Sequence, residues 1–214
     1  MNPPPGNDKQ RNGRQASGWV AFVGGGPGDE GLLTVRAAAL LAKADLVVAS
    51  PELMAQFGRL VRPGAETADT DALAQDPRLL VKAARAGQHV VRLLAGDPFL
   101  FGHAAAEAAA CAKARVPFEV VPGVPIATAV PAYAGIPLTS DASGDVRLIH
   151  ASEVSGVQGG PGSLVIVGAE TGPADLAKML MAAGWADTHP VRPHLGRHHH
   201  RPAHRGLHPR VGRR

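Results

Sequence analysis

The sequence carries a single cysteine, Cys111, so an intramolecular disulfide has no partner and a multi-cysteine zinc site no ligands, and the chain fits a reducing compartment such as the cytoplasm. Aromatic residues make up only 4% and are not interleaved with basic ones, which leaves no stacking platform for single-stranded nucleic acid. No apolar run approaches the roughly 18 to 20 residues of a membrane span. Met1 to Ser17 is polar, rich in Pro, Gly and Asn and without the apolar stretch of a signal peptide, and it reads as a disordered leader. What is present is ordinary for a folded protein. Of 214 residues, 45% are hydrophobic and 19% charged, enough for one large domain or two small ones.

The formal net charge of +4 is unevenly spread. Seven arginines and one aspartate lie between Asp187 and Arg214, which leaves 15 basic against 17 acidic residues in 1–186 and a nearly neutral body. Seven of the ten histidines also lie at or after His189. With so few apolar residues, 187–214 cannot bury enough surface to offset its ordering entropy and is expected to be a disordered Arg/His-rich tail. Three explanations stay open for it: a shifted reading frame in a GC-rich gene, adventitious metal binding by the histidines, and nucleic-acid binding by the arginines.

Between leader and tail, short apolar stretches alternate with helical patterns. Val20–Val23 reads as a buried strand running into the turn Gly24-Gly25-Gly26-Pro27-Gly28-Asp29. A helix over 32–42 follows, with Asp29 or Thr34 as its cap. Further strands are expected at Leu46–Ala49, Val90–Leu94 and Phe118–Val121. Helices are expected near Glu52–Phe57 and at Pro77–Ala86, Ala104–Arg115 and Pro125–Tyr133. Such alternation argues for an α/β fold with a parallel-rich sheet, whose ligands collect at the carboxyl ends of the strands. Residues 139–145 form a polar linker between an N-terminal α/β domain (18–138) and a partial C-terminal one (146–186). The latter has strands at Val146–His150 and Leu164–Val167 and a helix at Pro173–Ala183.

Two strand ends carry ligand-type turns, Val23 into GGGPGD and Leu94 into AGDP. Glycine lets backbone approach a ligand closely, and an aspartate there accepts hydrogen bonds from a ribose or an amine. Gly26-Pro27-Gly28-Asp29-Glu30-Gly31 fits a dinucleotide fingerprint in spacing only. Pro27 lacks an amide hydrogen, and Asp29 with Glu30 puts two negative charges where a pyrophosphate should lie. No Gly-Lys-Ser/Thr follows, which excludes a phosphate-binding loop. The acidic residues suit a cationic or uncharged ligand face, such as a sulfonium. Away from the turns, Cys111 reads as a buried small hydrophobe and His89 as a loop residue. Arg92, inside an apolar strand, is expected at a strand edge or against a carboxylate.

GGGPGDEGLLTVRAAALLAKADLVVAS at 24–50, AGDPFLFG at 95–102, PFEVVPGV at 117–124 and PAYAGIPLT at 131–139 together resemble the tetrapyrrole methylases, especially the uroporphyrinogen-III C-methyltransferases. The resemblance runs in order over about 19–186 and is nearest to the methylase half of actinobacterial fusions with uroporphyrinogen-III synthase. It implies two α/β domains with S-adenosylmethionine in the cleft between them, usually in a homodimer. It also implies methyl transfer to ring carbons of uroporphyrinogen III, giving precorrin-2 for siroheme and cobalamin. Carried over by motif, Pro27 lines the cofactor cleft, Ala95, Gly96 and Asp97 contact the amino-acid part and ribose, and Leu100 packs nearby. Ala127 and Val167 join them from the third block and the second domain. His103 is the candidate for substrate contact or proton handling. No metal, nucleic acid or membrane is implied.

The chain departs from the family pattern at Ala95, His103, Pro125-Ile126 and Asp141, three of which remove an expected glycine or arginine. Its short second domain suggests a truncated or frame-disrupted copy. A catalytically silent binding domain is therefore the second reading, and a nucleotide-binding oxidoreductase the third.

Overall fold

In the computed structural model, which describes residues 18–102, 104–141, 143–160 and 162–185, the first apolar stretch is β1 (Trp19–Gly24). Its side chains alternate between two buried faces, as a strand covered on both sides requires. Val20 and Phe22 face one way, Ala21 and Val23 the other, and all four are fully buried. The same holds for β2 (Leu46–Val48) and β4 (His89–Leu94), while β3 (Glu66–Ala68) and β5 (Phe118–Val121) lie at the margins. All pairings are parallel, in the order β3-β2-β4-β1-β5.

Helices cover both faces. One is packed by α1 (Val35–Leu41) and α2 (Pro51–Phe57) through Leu40, Leu41, Leu53 and Phe57. The other is packed by α4 (Leu79–Arg85) and α5 (Ala104–Lys113) through Leu80, Val81, Ala104, Ala108 and Cys111. Each fully buried Val, Leu or Phe in these clusters contributes about 1.5 to 3 kcal/mol. The α/β class and parallel sheet expected from the alternation are the observed architecture.

Local details differ from expectation in physically informative ways. The helix expected over 32–42 is split, because both candidate caps act. The Asp29 carboxylate accepts from Gly31 N–H and caps a 3-10 turn at Glu30–Leu32, and the Thr34 hydroxyl accepts from Ala37 N–H and starts α1. His89 is not in a loop but opens β4, its ring stacked on Trp19 with centroids 5.1 Å apart and its N–H donating to Asp45. Strand β3 and the short helix α3 (Asp71–Gln75) were not expected.

Past α6 (Ile126–Tyr133), residues 139–145 hold an isolated bridge between Ser140 and Ser143. Strands β6 (Val146–His150) and β7 (Ser163–Val167) then pair in parallel, and α7 (Pro173–Ala182) packs Leu180 against Ile149, Val154 and Trp185. The Trp185 indole donates to Val157 O and lies under the Arg147 guanidinium. The leader 1–17, the tail 187–214 and His103 lie outside the described residues.

Candidate functional site

The strand order marks the carboxyl ends of β1 and β4 as a switch point, the kind of place where open parallel sheets take their ligands. β1 and β4 are neighbours, yet the chain leaves β1 through α1 on one face and leaves β4 through α5 on the other. Diverging connections open a crevice at the carboxyl ends of these two strands. The turns that occupy it are GGGPGD after β1 and AGDP after β4. They are tied together, since Gly26 N–H donates to Gly96 O at 3.1 Å and Gly96 N–H to Gly26 O at 2.8 Å. Both residues have positive φ, 66° and 64°, which an L side chain rarely adopts.

A third turn closes against these two. Pro122-Gly123 follows β5, and a Cβ on Gly123 would fall 2.2 Å from Gly96 O and 2.8 Å from Gly24 Cα. Three backbones thus cross with no room for a side chain. Asp97 holds the crossing with both oxygens: Oδ2 accepts from Gly123 N–H at 3.2 Å and Oδ1 from Phe99 N–H at 2.9 Å. The start of α6 abuts the same point, with Ile126 against Gly96.

The wall on the β1 side is acidic and braced from outside. Tyr133 Oη, on α6, donates to Asp29 Oδ2 at 3.0 Å, and Arg59 forms an ion pair with Glu30. The bond to Asp29 holds the Tyr133 hydroxyl above the usual tyrosine range, because deprotonation would face a carboxylate. On the β4 side the rim is apolar, with Phe99 and Phe101 about half exposed. Phe101 adopts φ 57° and its ring lies 6.4 Å from that of His150 at the end of β6. Among the described residues of the three turns there is no lysine or arginine.

The site residues expected from sequence fall as follows. Pro27 is half-buried and directly follows Gly26, and Ala95 and Asp97 flank Gly96, so the paired glycines bring these three together. Leu100 N–H donates to Asp97 O, and Ala127 is buried in the first turn of α6 next to Ile126. Val167 ends β7 in register with His150, whose ring lies beside Phe101, and β7 also packs on α6. Gly24, Gly123 and Tyr133 were not singled out. The PGV turn after an apolar strand was the signal for Gly123; nothing local marks Tyr133.

Two buried groups lie between α5 and the sheet. Cys111 is fully buried on α5, and burial together with nearby Glu107 raises its thiol above the usual range. Arg92, expected at an edge or against a carboxylate, stands in the central strand β4 with Glu107 as its partner at 3.0 Å.

Residues 20–192 match the family model described as Tetrapyrrole (Corrin/Porphyrin) Methylases. The chain is 47% identical over 140 residues to siroheme synthase 1 of Pectobacterium atrosepticum, covering 62% of this chain and 29% of that protein. It is 37% identical over 193 residues to siroheme synthase 2 of Serratia proteamaculans, covering 83% and 41% respectively. The chain therefore spans less than half the length of these curated relatives. Among solved structures, the uroporphyrin-III C-methyl transferase of Thermus thermophilus complexed with S-adenyl homocysteine is similar with a TM-score of 0.65 and 31% identity, over 79% of this chain and 78% of that one.

Proposed function

The chain belongs to the tetrapyrrole methylases, and on that premise we propose that it binds S-adenosylmethionine at the carboxyl ends of β1 and β4, against the paired turns GGGPGD and AGDP, and methylates a ring carbon of uroporphyrinogen III, on the route to siroheme. The observation that carries this reading is the mutual pairing of Gly26 and Gly96, which sets both turns at one end of the sheet.

The donor set fits the ligand. Backbone crossing at Gly24, Gly96 and Gly123 keeps side chains out of the junction of the three turns, so that Pro27, Ala95 and Asp97 flank one place. Asp29 and Asp97 put carboxylates beside it, matching a ligand that carries a sulfonium and an ammonium, whereas a pyrophosphate would find no lysine or arginine among the described residues of the three turns. Pro27, Ala95, Gly96 and Asp97 hold the ligand, and Leu100, Ala127 and Val167 supply apolar contact. When bound, S-adenosylmethionine supplies an electrophilic methyl group. The protein's share is to fix the acceptor carbon in line with that methyl and to keep water out, which is where most of the acceleration in such a transfer arises. Phe99 and Phe101 form the apolar rim against which the macrocycle rests, and His103 receives the proton released after the carbon–carbon bond forms. The working state is a cytoplasmic homodimer.

One observation favours the catalytically silent reading. Eight carboxylates on the substrate call for arginines, and the three turns hold none among their described residues. Calorimetry of the full chain with S-adenosylhomocysteine, followed by methyl transfer to uroporphyrinogen III, decides between them. Binding with turnover supports the enzyme, binding without turnover the silent form, and no binding overturns the cofactor assignment.

A further inference from the structure

Arg92 and Glu107 bracket the AGDP turn, one three residues before Ala95 on β4 and the other in the first turns of α5. Their side chains are only 7% and 18% exposed. The Arg92 Nε–H donates to both Glu107 oxygens, at 3.0 and 3.3 Å, and Nη1 donates to Leu93 O at 3.1 Å and Val48 O at 3.5 Å. The guanidinium thus ties the ends of β2 and β4 to α5 immediately below the crevice. Among the described residues Arg92 is the one buried charged side chain, on a face otherwise made of Val20, Phe22, Leu46, Val48, Val90 and Leu94.

Stability alone does not account for such a pair. Well-packed apolar residues of similar volume commonly replace a buried ion pair at no loss or with a gain. What apolar packing cannot do here is set the register of α5. Its sheet-facing residues besides Glu107 are Ala104, Ala108 and Cys111, all small, and a face of small side chains offers few ridges to stop the helix sliding along the sheet. A planar guanidinium fork with fixed donor directions does.

We propose that Arg92 and Glu107 are positioning residues, a charged clasp at the base of the AGDP turn that sets where α5 begins and so holds Gly96 against Gly26 and Asp97 against Gly123. The consequence for ligand binding rests on the S-adenosylmethionine reading above; the consequence for the turn itself does not.

The test crosses two variants of the full chain. Arg92→Met with Glu107→Leu removes the clasp but keeps the volume; Glu107→Gln keeps an acceptor for Arg92 but leaves its charge uncompensated. The double variant is expected to keep the wild-type melting temperature, to exchange amide hydrogens in 95–102 at least about tenfold faster than wild type with β1 unchanged, and to bind S-adenosylhomocysteine about tenfold more weakly. Glu107→Gln is expected to melt at lower temperature while holding exchange in 95–102 and affinity within about threefold of wild type. Wild-type exchange in the double variant overturns the clasp. Should the double variant not fold, Arg92→Lys, which keeps the charge and loses the planar fork, decides alone, and wild-type exchange in 95–102 overturns the proposal. If wild type itself fails to bind S-adenosylhomocysteine, the cofactor reading falls, and exchange still judges the clasp.

Discussion

Gly123 approaches Gly24 so closely that a Cβ on Gly123 would lie 2.8 Å from Gly24 Cα and 2.2 Å from Gly96 O. Neither neighbour is a flexible side chain, so nothing can swing aside. Gly123→Ala is expected to lose about 2 to 4 kcal/mol in urea unfolding, and whatever folds should bind S-adenosylhomocysteine poorly. Gly144→Ala is the control, since a Cβ there meets nothing within 4 Å, and its stability should stay within about 0.5 kcal/mol of wild type.

Asp97 does two things that substitution can separate. Asp97→Ala deletes the acceptors of Gly123 N–H and Phe99 N–H and is expected to cost about 1 to 3 kcal/mol. Asp97→Asn keeps one acceptor oxygen and loses the charge. Its affinity for the cationic S-adenosylmethionine should fall several-fold more than its affinity for the uncharged sulfur of S-adenosylhomocysteine, in paired calorimetric titrations. An equal loss for both ligands would remove the electrostatic role given to Asp97.

The chain has one tyrosine, so phenolate absorbance reports Tyr133 alone. Its hydrogen bond to Asp29 raises the hydroxyl above its ordinary value near 10. A raised value favours the protonated form in the folded state, so the stabilisation is complete below pH 10 and disappears as pH rises through the folded value. A spectrophotometric titration should give a midpoint above 10 in wild type and a lower one in Asp29→Ala.

Cys111 is protected twice, by full burial and by a thiol whose ionisation is opposed by its surroundings and by Glu107. Iodoacetamide at pH 8 should label the native chain at a rate set by unfolding, rising steeply only across the urea transition. Labelling at the rate of a free thiol without denaturant would contradict the packing of α5.

Strands β1, β2, β4 and β5 were legible because each is a short apolar run ended by glycine, proline or a polar residue, and Pro51 and Thr34 announced their helices. Strand β3 was not. Glu66 and Thr67 are exposed at the sheet margin, so no apolar pattern is needed there and none is written. Both glycine turns could be found as turns, but their mutual pairing depends on β1 and β4 being neighbours, a property of strand order rather than of local sequence. The same limit hid Glu107 as the partner of Arg92 and Tyr133 as the partner of Asp29: each pair joins elements that touch only after the sheet has formed.

Strand order also governs how the crevice can be assembled during synthesis. β1 leaves the ribosome before β4 and β5, the two strands it pairs with. Until His89–Leu94 emerges, the backbone edges of Val20–Val23 are unpaired and the first glycine turn has no partner at Gly96. The growing chain therefore carries its future binding turn open while the segment between β1 and β4 is made, a stage at which holding chaperones have a natural point of attachment.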